Sequence, residues 1–409
     1  MSTPQLLELG PKVFTPNYRQ LPVIFTRGEG CHVWDSTGRR YLDLVGGIAV
    51  NVLGHAHPMI VEVVNRQVRD LIHVSNLYYN EPAIRLASEL QRLSGFGGRV
   101  FFANCGATAN EAAIKLARRY FRTVVRRDRF EFITMEHSFH GRTLAMTAAT
   151  GQPKYQMGYE PLPAGFVYAP FNDLQAISAK ISSRTAAVLL EPIQGEGGVV
   201  PAKEGFLRGL RELCDSHGIL LILDEVQTGI GRTGSFFAYE QEGIKPDIVT
   251  IAKGLGGGLP IGAMIAAPKV AEGFEPGAHA TTFGGNPLVC AVALAVLEAI
   301  EVEGLLDNSR MIGEYLLDGL TVMRDDPKLE GVVRDVRGRG LMVGLELDGV
   351  DCRQIMTQCL HRGLLVSVAG TNVIRFVPPL IVGKGHIQAA LAVLYEVLID
   401  VVKERSQRK

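Results

Sequence analysis

Apolar residues recur along this chain in two spacings, and the switches between them lay out its elements. Residues 219–223 (ILLIL), 187–190 (AVLL) and the largely apolar 248–252 (IVTIA) predict strands buried on both faces, as in a parallel sheet covered by helices. Shorter strands are predicted at 99–102, 130–134 and 262–267. Helical spacing joins Ala83, Leu86, Ala87, Leu90 and Leu93, and again Ala112, Ala113, Leu116, Ala117 and Tyr120. A long helix is expected from about Leu288, and a last one carries Ile387, Leu391, Leu394, Leu398 and Val401. Residues 1–55 read as turn-rich, with short strands at 30–35 and 40–44; beyond the long helix, short strands are expected at 339–347, 364–368 and 374–379. The alternation predicts an α/β protein. The middle of the chain should hold a mostly parallel sheet covered by helices, and the C-terminal part reads as a smaller α+β unit.

Composition narrows the partners. With 409 residues, 47% of them hydrophobic, the chain can bury a large core. Its 42 basic residues balance 42 acidic ones, so no global field calls for nucleic acid or an anionic membrane, and small molecules or further copies of the chain are the expected partners. Six cysteines without CxxC spacing fit a reducing compartment better than a disulfide framework. The N-terminus lacks a basic region followed by an apolar core, and no uninterrupted apolar run is long enough to span a bilayer, so a cytoplasmic location is expected. His55 and His57 lack a nearby third ligand and read as a turn before a helix; no metal is expected.

Candidate chemistry gathers at strand ends, where ligands of open α/β sheets bind. Lys253 follows one strand and opens a loop containing four glycines. An ammonium in so apolar a place loses its proton readily and becomes an imine-forming nucleophile towards an aldehyde cofactor; the plainer reading is a lysine snorkelling to solvent. Asp224, ending 219–223, is placed to hold a cationic ring nitrogen such as that of a pyridoxal ring, although a helix cap or a metal ligand fits the same position. The small-residue turn 104–110 precedes a helix, so the backbone N–H groups of Gly106 and Ala107 suit a phosphate. Phe139 can lie flat on a planar cofactor and Arg142 can fork a carboxylate, against the plainer readings of a core aromatic and a solvated cation. Glu191 and Glu196 suggest a site that manages cationic groups. Thr281 and Thr282 offer hydroxyls in a turn, Arg375 inside an apolar strand points to an anion, and Tyr18 reads as structural.

The strings SFHGRT, EPIQGEGGV, LDEVQTGIGRTG, IAKGLGGGLPIGAM, TTFGGNPL and IRFVPPL together resemble the class III, ornithine-type, pyridoxal-phosphate aminotransferases, over about 28–397. GGIAVNVLGHAHP, NEPAIRLASEL, GQPKYQMGYEPLP and FNDLQAI look most like the acetylornithine branch. The resemblance implies fold type I, with a large domain over 56–288 and a small domain made of 1–55 and 289–409, and a homodimer with active sites shared across its interface. It implies that Lys253 carries the pyridoxal phosphate and moves the proton, that Asp224 pairs with the ring nitrogen, and that Gln227 bonds the ring hydroxyl. Phe139 and Val226 would flank the ring, with Glu225 in the same cofactor motif. Gly106 and Ala107 would hold the phosphate, which Thr282 would reach from the neighbouring subunit. Arg142, helped by Thr281, would take a carboxylate of the amino donor, and Arg375 that of 2-oxoglutarate, screened by Glu196 in the first half-reaction.

The implied activity is ping-pong transfer of the terminal amino group of N-acetylornithine to 2-oxoglutarate, in arginine biosynthesis. Ornithine, succinylornithine, 4-aminobutyrate and a carrier-bound lysine precursor are alternative donors, and Tyr18 would help an enzyme of free ornithine recognise the α-amine. An aminomutase would have no need of Arg375 with Glu196, nor a non-catalytic regulator of Lys253, Asp224 and Arg142. The chain departs from the family at the phosphate turn, where Cys105 and Thr108 replace the usual Ser and Glu. Because backbone N–H groups do most of the holding, cofactor binding should persist, weaker by about 1 kcal/mol for a lost hydrogen bond.

Overall fold

The computed structural model describes residues 1–407. Seven strands form the central sheet in the order Arg99–Ala103, Gly262–Ala266, Ile248–Ile251, Leu220–Asp224, Thr185–Leu190, Glu131–Met135 and Phe166–Ala169. Gly262–Ala266 runs antiparallel to both neighbours, and the other four pairings are parallel.

The aliphatic runs are explained by which way their side chains point. Leu221 and Leu223 enter one core cluster, while Leu220 and Ile222 enter a second on the opposite face. Val188 with Leu190 and Ala187 with Leu189 divide in the same way. The helix Gly106–Arg119 closes the second face with Ala112, Ala113, Leu116 and Ala117. On the first, Phe206–His217 contributes Leu207, Leu210 and Cys214. Neither face of these strands meets water, so none of their positions needs to be polar.

The two ends of the chain meet. Leu364–Leu365 pairs parallel with Arg40–Asp43, joining a sheet that also contains Phe25–Glu29 and His32–Asp35. A further sheet runs Val333–Arg339, Met342–Leu347, Val373–Phe376, Ser367–Ala369. The stretch 339–347, expected as one strand, is the second half of a hairpin: Gly340 turns the chain at φ 55°, and Arg339 pairs with Met342. The N-terminal stretch also differs from expectation, for Thr3–Val13 is a helix. Ser2 caps it and the Gln5 side chain returns a bond to the Ser2 N–H, a capping box legible in the opening residues.

In the C-terminal helix, 384–405 is long and apolar enough to cross a membrane by length and composition, with mean hydropathy 1.5. Glu396 and Asp400 interrupt it, and Ile387, Ala390, Leu394, Val397, Leu398 and Val401 are buried in the main core. It is thus packed as an amphipathic core helix.

Ile222 is fully buried on a central strand between two helical layers. Ile222→Ala should therefore lower the unfolding free energy by about 2–5 kcal/mol, measured by denaturant titration of the purified protein.

Candidate active site

The carboxyl ends of three neighbouring strands bring Glu191, Asp224 and Lys253 to one edge of the sheet, beside a cavity of about 380 Å³. Lys253 follows Ile248–Ile251 at φ 35°, a left-handed value that residues with side chains adopt rarely and that concentrates at functional sites. Its amine opens into the cavity with no hydrogen-bond or ion-pair partner among the described residues. Burial, and then Arg375, pull its pKa down to about 8, against the opposing pull of Glu196, Glu191 and Asp224.

Asp224 is 3% exposed and accepts three hydrogen bonds. Oδ2 accepts from Asn110 Nδ2 at 2.7 Å and His140 Nδ1 at 2.8 Å, and Oδ1 from the Val226 N–H at 3.0 Å. Asn110 is itself held by Thr250, whose hydroxyl donates to Oδ1 at 2.6 Å. His140 Nε2 is buried with no hydrogen-bond partner among the described residues. The imidazole meets Asp224 through Nδ1, and the Asp224 carboxylate still faces the cavity. Sequence reasoning missed Asn110 and His140 as supports. Their signals were a lone amide on an alanine-rich inward helix face and a histidine directly after Phe139.

Gly106, Ala107, Phe139, Val226 and Gln227 complete much of the wall with Cys105 and Asn104. A Cβ on Gly106 would lie 2.8 Å from Val226 Cγ1, so the turn can approach Val226 only as glycine. At the helix start, the Thr108 hydroxyl accepts the N–H groups of Asn104 and Cys105, both at 3.1 Å, and donates to Cys105 O at 3.0 Å. Thr108 thereby supplies the reciprocal cap expected of a longer acidic side chain, and leaves the N–H groups of the first turn facing the cavity.

Glu225, expected in the cofactor motif, turns away. Its carboxylate accepts from Thr228 Oγ1 at 2.8 Å, Ala238 N at 2.9 Å and Tyr239 N at 3.0 Å, so its side chain caps a loop and forms no part of the wall. Burial pushes its pKa up to about 7. Glu191 does face the cavity and fixes two loops, accepting Phe139 N at 3.0 Å and Gly195 N at 3.1 Å. Burial, helped by Asp224, raises its pKa to about 7 against the influence of His140 and those two N–H groups.

Beside this wall lies a cluster of cations. Arg375 is 1% exposed; its Nη1 donates to Glu196 Oε1 at 2.5 Å and to Gln227 Oε1 at 3.2 Å, and its Nε to Ser367 Oγ at 3.2 Å. Burial alone would raise the Glu196 pKa, but Arg375, with Lys253 and Arg142 behind it, holds it below the usual carboxylate range. Arg142 has no carboxylate partner among the described residues, and its guanidinium lies over the Tyr155 and Phe139 rings.

Three expected residues lie apart within one chain. Tyr18 is 74% exposed and does not line the cavity. Thr282 is exposed. The Thr281 hydroxyl sits 3.5 Å from Asn104 Oδ1, not on Arg142.

The arrangement offers a poised amine, a braced anion at a strand end, an aromatic and an aliphatic wall, and free helix-start N–H groups. That combination suits a planar aldehyde bearing a basic ring nitrogen and a phosphate.

Comparison with known proteins agrees. The family model "Aminotransferase class-III" matches residues 13–398. The acetylornithine aminotransferase of Gloeobacter violaceus is 54% identical over 92% of this chain and 93% of its own. That of Caldanaerobacter subterraneus is 49% identical over 95% and 98%. Among solved structures, ornithine aminotransferase from Toxoplasma gondii superposes with TM-score 0.94 at 30% identity, covering 99% of this chain and 96% of its own. N-acetylornithine aminotransferase from Stenotrophomonas maltophilia is 41% identical with TM-score 0.81, covering 95% and 98%. With a fold, a cavity and a donor set that concur, this chain belongs to the class III aminotransferases and is a pyridoxal-phosphate-dependent enzyme.

Proposed function

We propose that this enzyme moves the terminal amino group of N-acetylornithine to 2-oxoglutarate, giving the semialdehyde and glutamate by a ping-pong route, a step of arginine biosynthesis. The observation that carries the reading is the contrast between its two arginines: Arg375 is buried and neutralised by Glu196, whereas Arg142 has no carboxylate partner among the described residues. One subsite is therefore open to a donor carboxylate at once, and the other becomes available when a substrate carboxylate replaces Glu196. The high identity to acetylornithine aminotransferases supports the same donor. Nothing in the cavity favours free ornithine through Tyr18.

Pyridoxal phosphate, when bound, supplies the carbonyl that accepts the amino group and the ring that withdraws the substrate's electron pair. Gly106 and Ala107 would hold its phosphate through backbone N–H groups, joined by Thr282 of the partner subunit in a homodimer. Asp224 would keep the ring nitrogen protonated, Gln227 would bond the ring hydroxyl, and Phe139 and Val226 would flank the ring. Lys253 Nζ would hold the cofactor and, once freed by substrate, would serve as the base that moves the proton. Arg142 orients the donor and Arg375 the keto acid, with Glu196 screening Arg375 while the donor is bound. We assign 56–288 as the cofactor domain and 1–55 with 289–409 as the small domain, supported by the pairing of Leu364–Leu365 with Arg40–Asp43. Six unpaired thiols support a cytoplasmic setting.

Spectral titration of the holoenzyme with N-acetylornithine, ornithine, succinylornithine and 4-aminobutyrate tests the donor. The cofactor band should be lost at far lower N-acetylornithine than any other amine, and a different winner would replace the donor. Lys253→Ala should abolish transamination in a folded protein; substantial turnover in that variant would remove the residue from its role. Because the amine is neutral only above a pKa of about 8, capture of pyridoxal phosphate by cofactor-free protein should slow roughly tenfold per pH unit below 8 and level off above it. Stopped-flow absorbance reads this directly, and a rate flat from about pH 6 to 8 would contradict it.

A further inference from the structure

The stretch GQPKYQ, distinctive in the sequence, is unused by the chemistry above, yet it stands against the donor subsite. It folds as the short helix Pro153–Gln156, anchored at both ends. Gln152 Nε2 donates to Ser138 O at 2.9 Å and His137 O at 3.2 Å, in the loop leading to Phe139. Gln156 Nε2 donates to Thr150 O at 2.8 Å and Tyr168 Oη at 2.9 Å. Between these anchors Tyr155 is half-buried, its ring edge-on to Phe139 at 5.8 Å between centroids. The Arg142 guanidinium lies 4.1 Å from the centre of the Tyr155 ring and 5.3 Å from that of Phe139. Its N–H donors have no acceptor among the described residues, so the aromatic faces hold it in place.

We propose that Tyr155 is a specificity-determining positioning residue. Its ring face supports the Arg142 guanidinium and so directs that group's in-plane N–H pairs at the carboxylate of the amino donor. A planar cation resting on a ring keeps its edges free, and a bidentate contact to a carboxylate needs those edges. The Tyr155 hydroxyl has no hydrogen bond among the described residues, which assigns the work to the ring. Discrimination should therefore follow the donor's carboxylate and spare its amine. The proposal rests on the reading of Arg142 as the donor's carboxylate site.

The test compares holoenzyme variants on N-acetylornithine and on N-acetylputrescine, which keeps the amine and the acetamide but lacks the carboxylate. Tyr155→Leu should raise KM for N-acetylornithine about tenfold with kcat little changed, and leave KM for N-acetylputrescine where it was, which also shows that the variant is folded. Tyr155→Phe should keep the wild-type KM for both. In an Arg142→Ala background, Tyr155→Leu should add nothing. Equal losses on both donors, a loss in Tyr155→Phe as large as in Tyr155→Leu, or a loss that persists without Arg142 would each overturn the proposal. A wild-type enzyme that prefers ornithine or 4-aminobutyrate overturns the choice of N-acetylornithine alone, and the same pattern must then appear with that donor. A wild type that handles N-acetylputrescine as well as every carboxylate-bearing donor overturns both.

Discussion

The buried guanidinium of Arg375 is met by the carboxylate of Glu196, and the site is arranged around that ion pair. Glu196 supplies it from 179 positions away, tying Val373–Phe376 to the loop that follows Thr185–Leu190. Desolvating two charges offsets most of their attraction, yet stripping one from such a buried pair costs about 3–5 kcal/mol, because the other is left bare. In the proposed reaction such a pair would yield most readily to exchange, with a substrate carboxylate taking over Arg375 without exposing it. The released Glu196 still has Lys253 and Arg142 nearby to stabilise its charge. The same Arg375 helps depress the Lys253 pKa, so the buried ion pair and the amine are electrostatically linked.

The three carboxylates at the sheet's edge differ because their surroundings differ. Asp224, Glu191 and Glu225 are all almost wholly inaccessible. Asp224 is braced on both oxygens by an amide, an imidazole and a backbone N–H while still facing the cavity. Glu191 spends its oxygens on the backbone at Phe139 and Gly195, thereby placing the aromatic wall and the Glu196 loop relative to each other. Glu225 is wholly engaged in capping residues 238 and 239. Two more arginines hold the small sheet against the large one. Arg337 grips Gly198 O at 2.8 Å, just beyond Glu196. Arg232 donates to Leu341 O at 3.0 Å and Pro378 O at 2.5 Å, clamping the chain soon after Gln227 to the chain soon after Arg375.

Much of this was legible in the chain. Aliphatic runs marked the central strands because a strand covered on both faces tolerates no polar position, and glycines and carboxylates after those runs marked the ligand edge. Lys253, Asp224, Gln227, Phe139 and the turn at Gly106 and Ala107 do line one cavity. Local composition was a poor guide elsewhere. The helix Thr3–Val13 was read as turns because it buries no apolar side chain, and 339–347 hid a hairpin turn within an apolar stretch.

The sequence by itself determined the doubly buried strands at 187–190, 219–223 and 248–252, where they end and which chemical groups sit at those ends, because burial on two faces and strand termination are written in neighbouring residues. Only the tertiary structure decided that Asp224 faces the cavity while Glu225 turns from it, that Asn110 and His140 brace Asp224, that Thr108 caps the phosphate turn and that Tyr155 carries Arg142. Consecutive residues at a strand's end diverge in direction, and whether a given carboxylate meets a cavity, a backbone N–H or an imidazole depends on segments brought there by packing. The Asp224 contacts span 84 and 114 positions, beyond the reach of any local pattern.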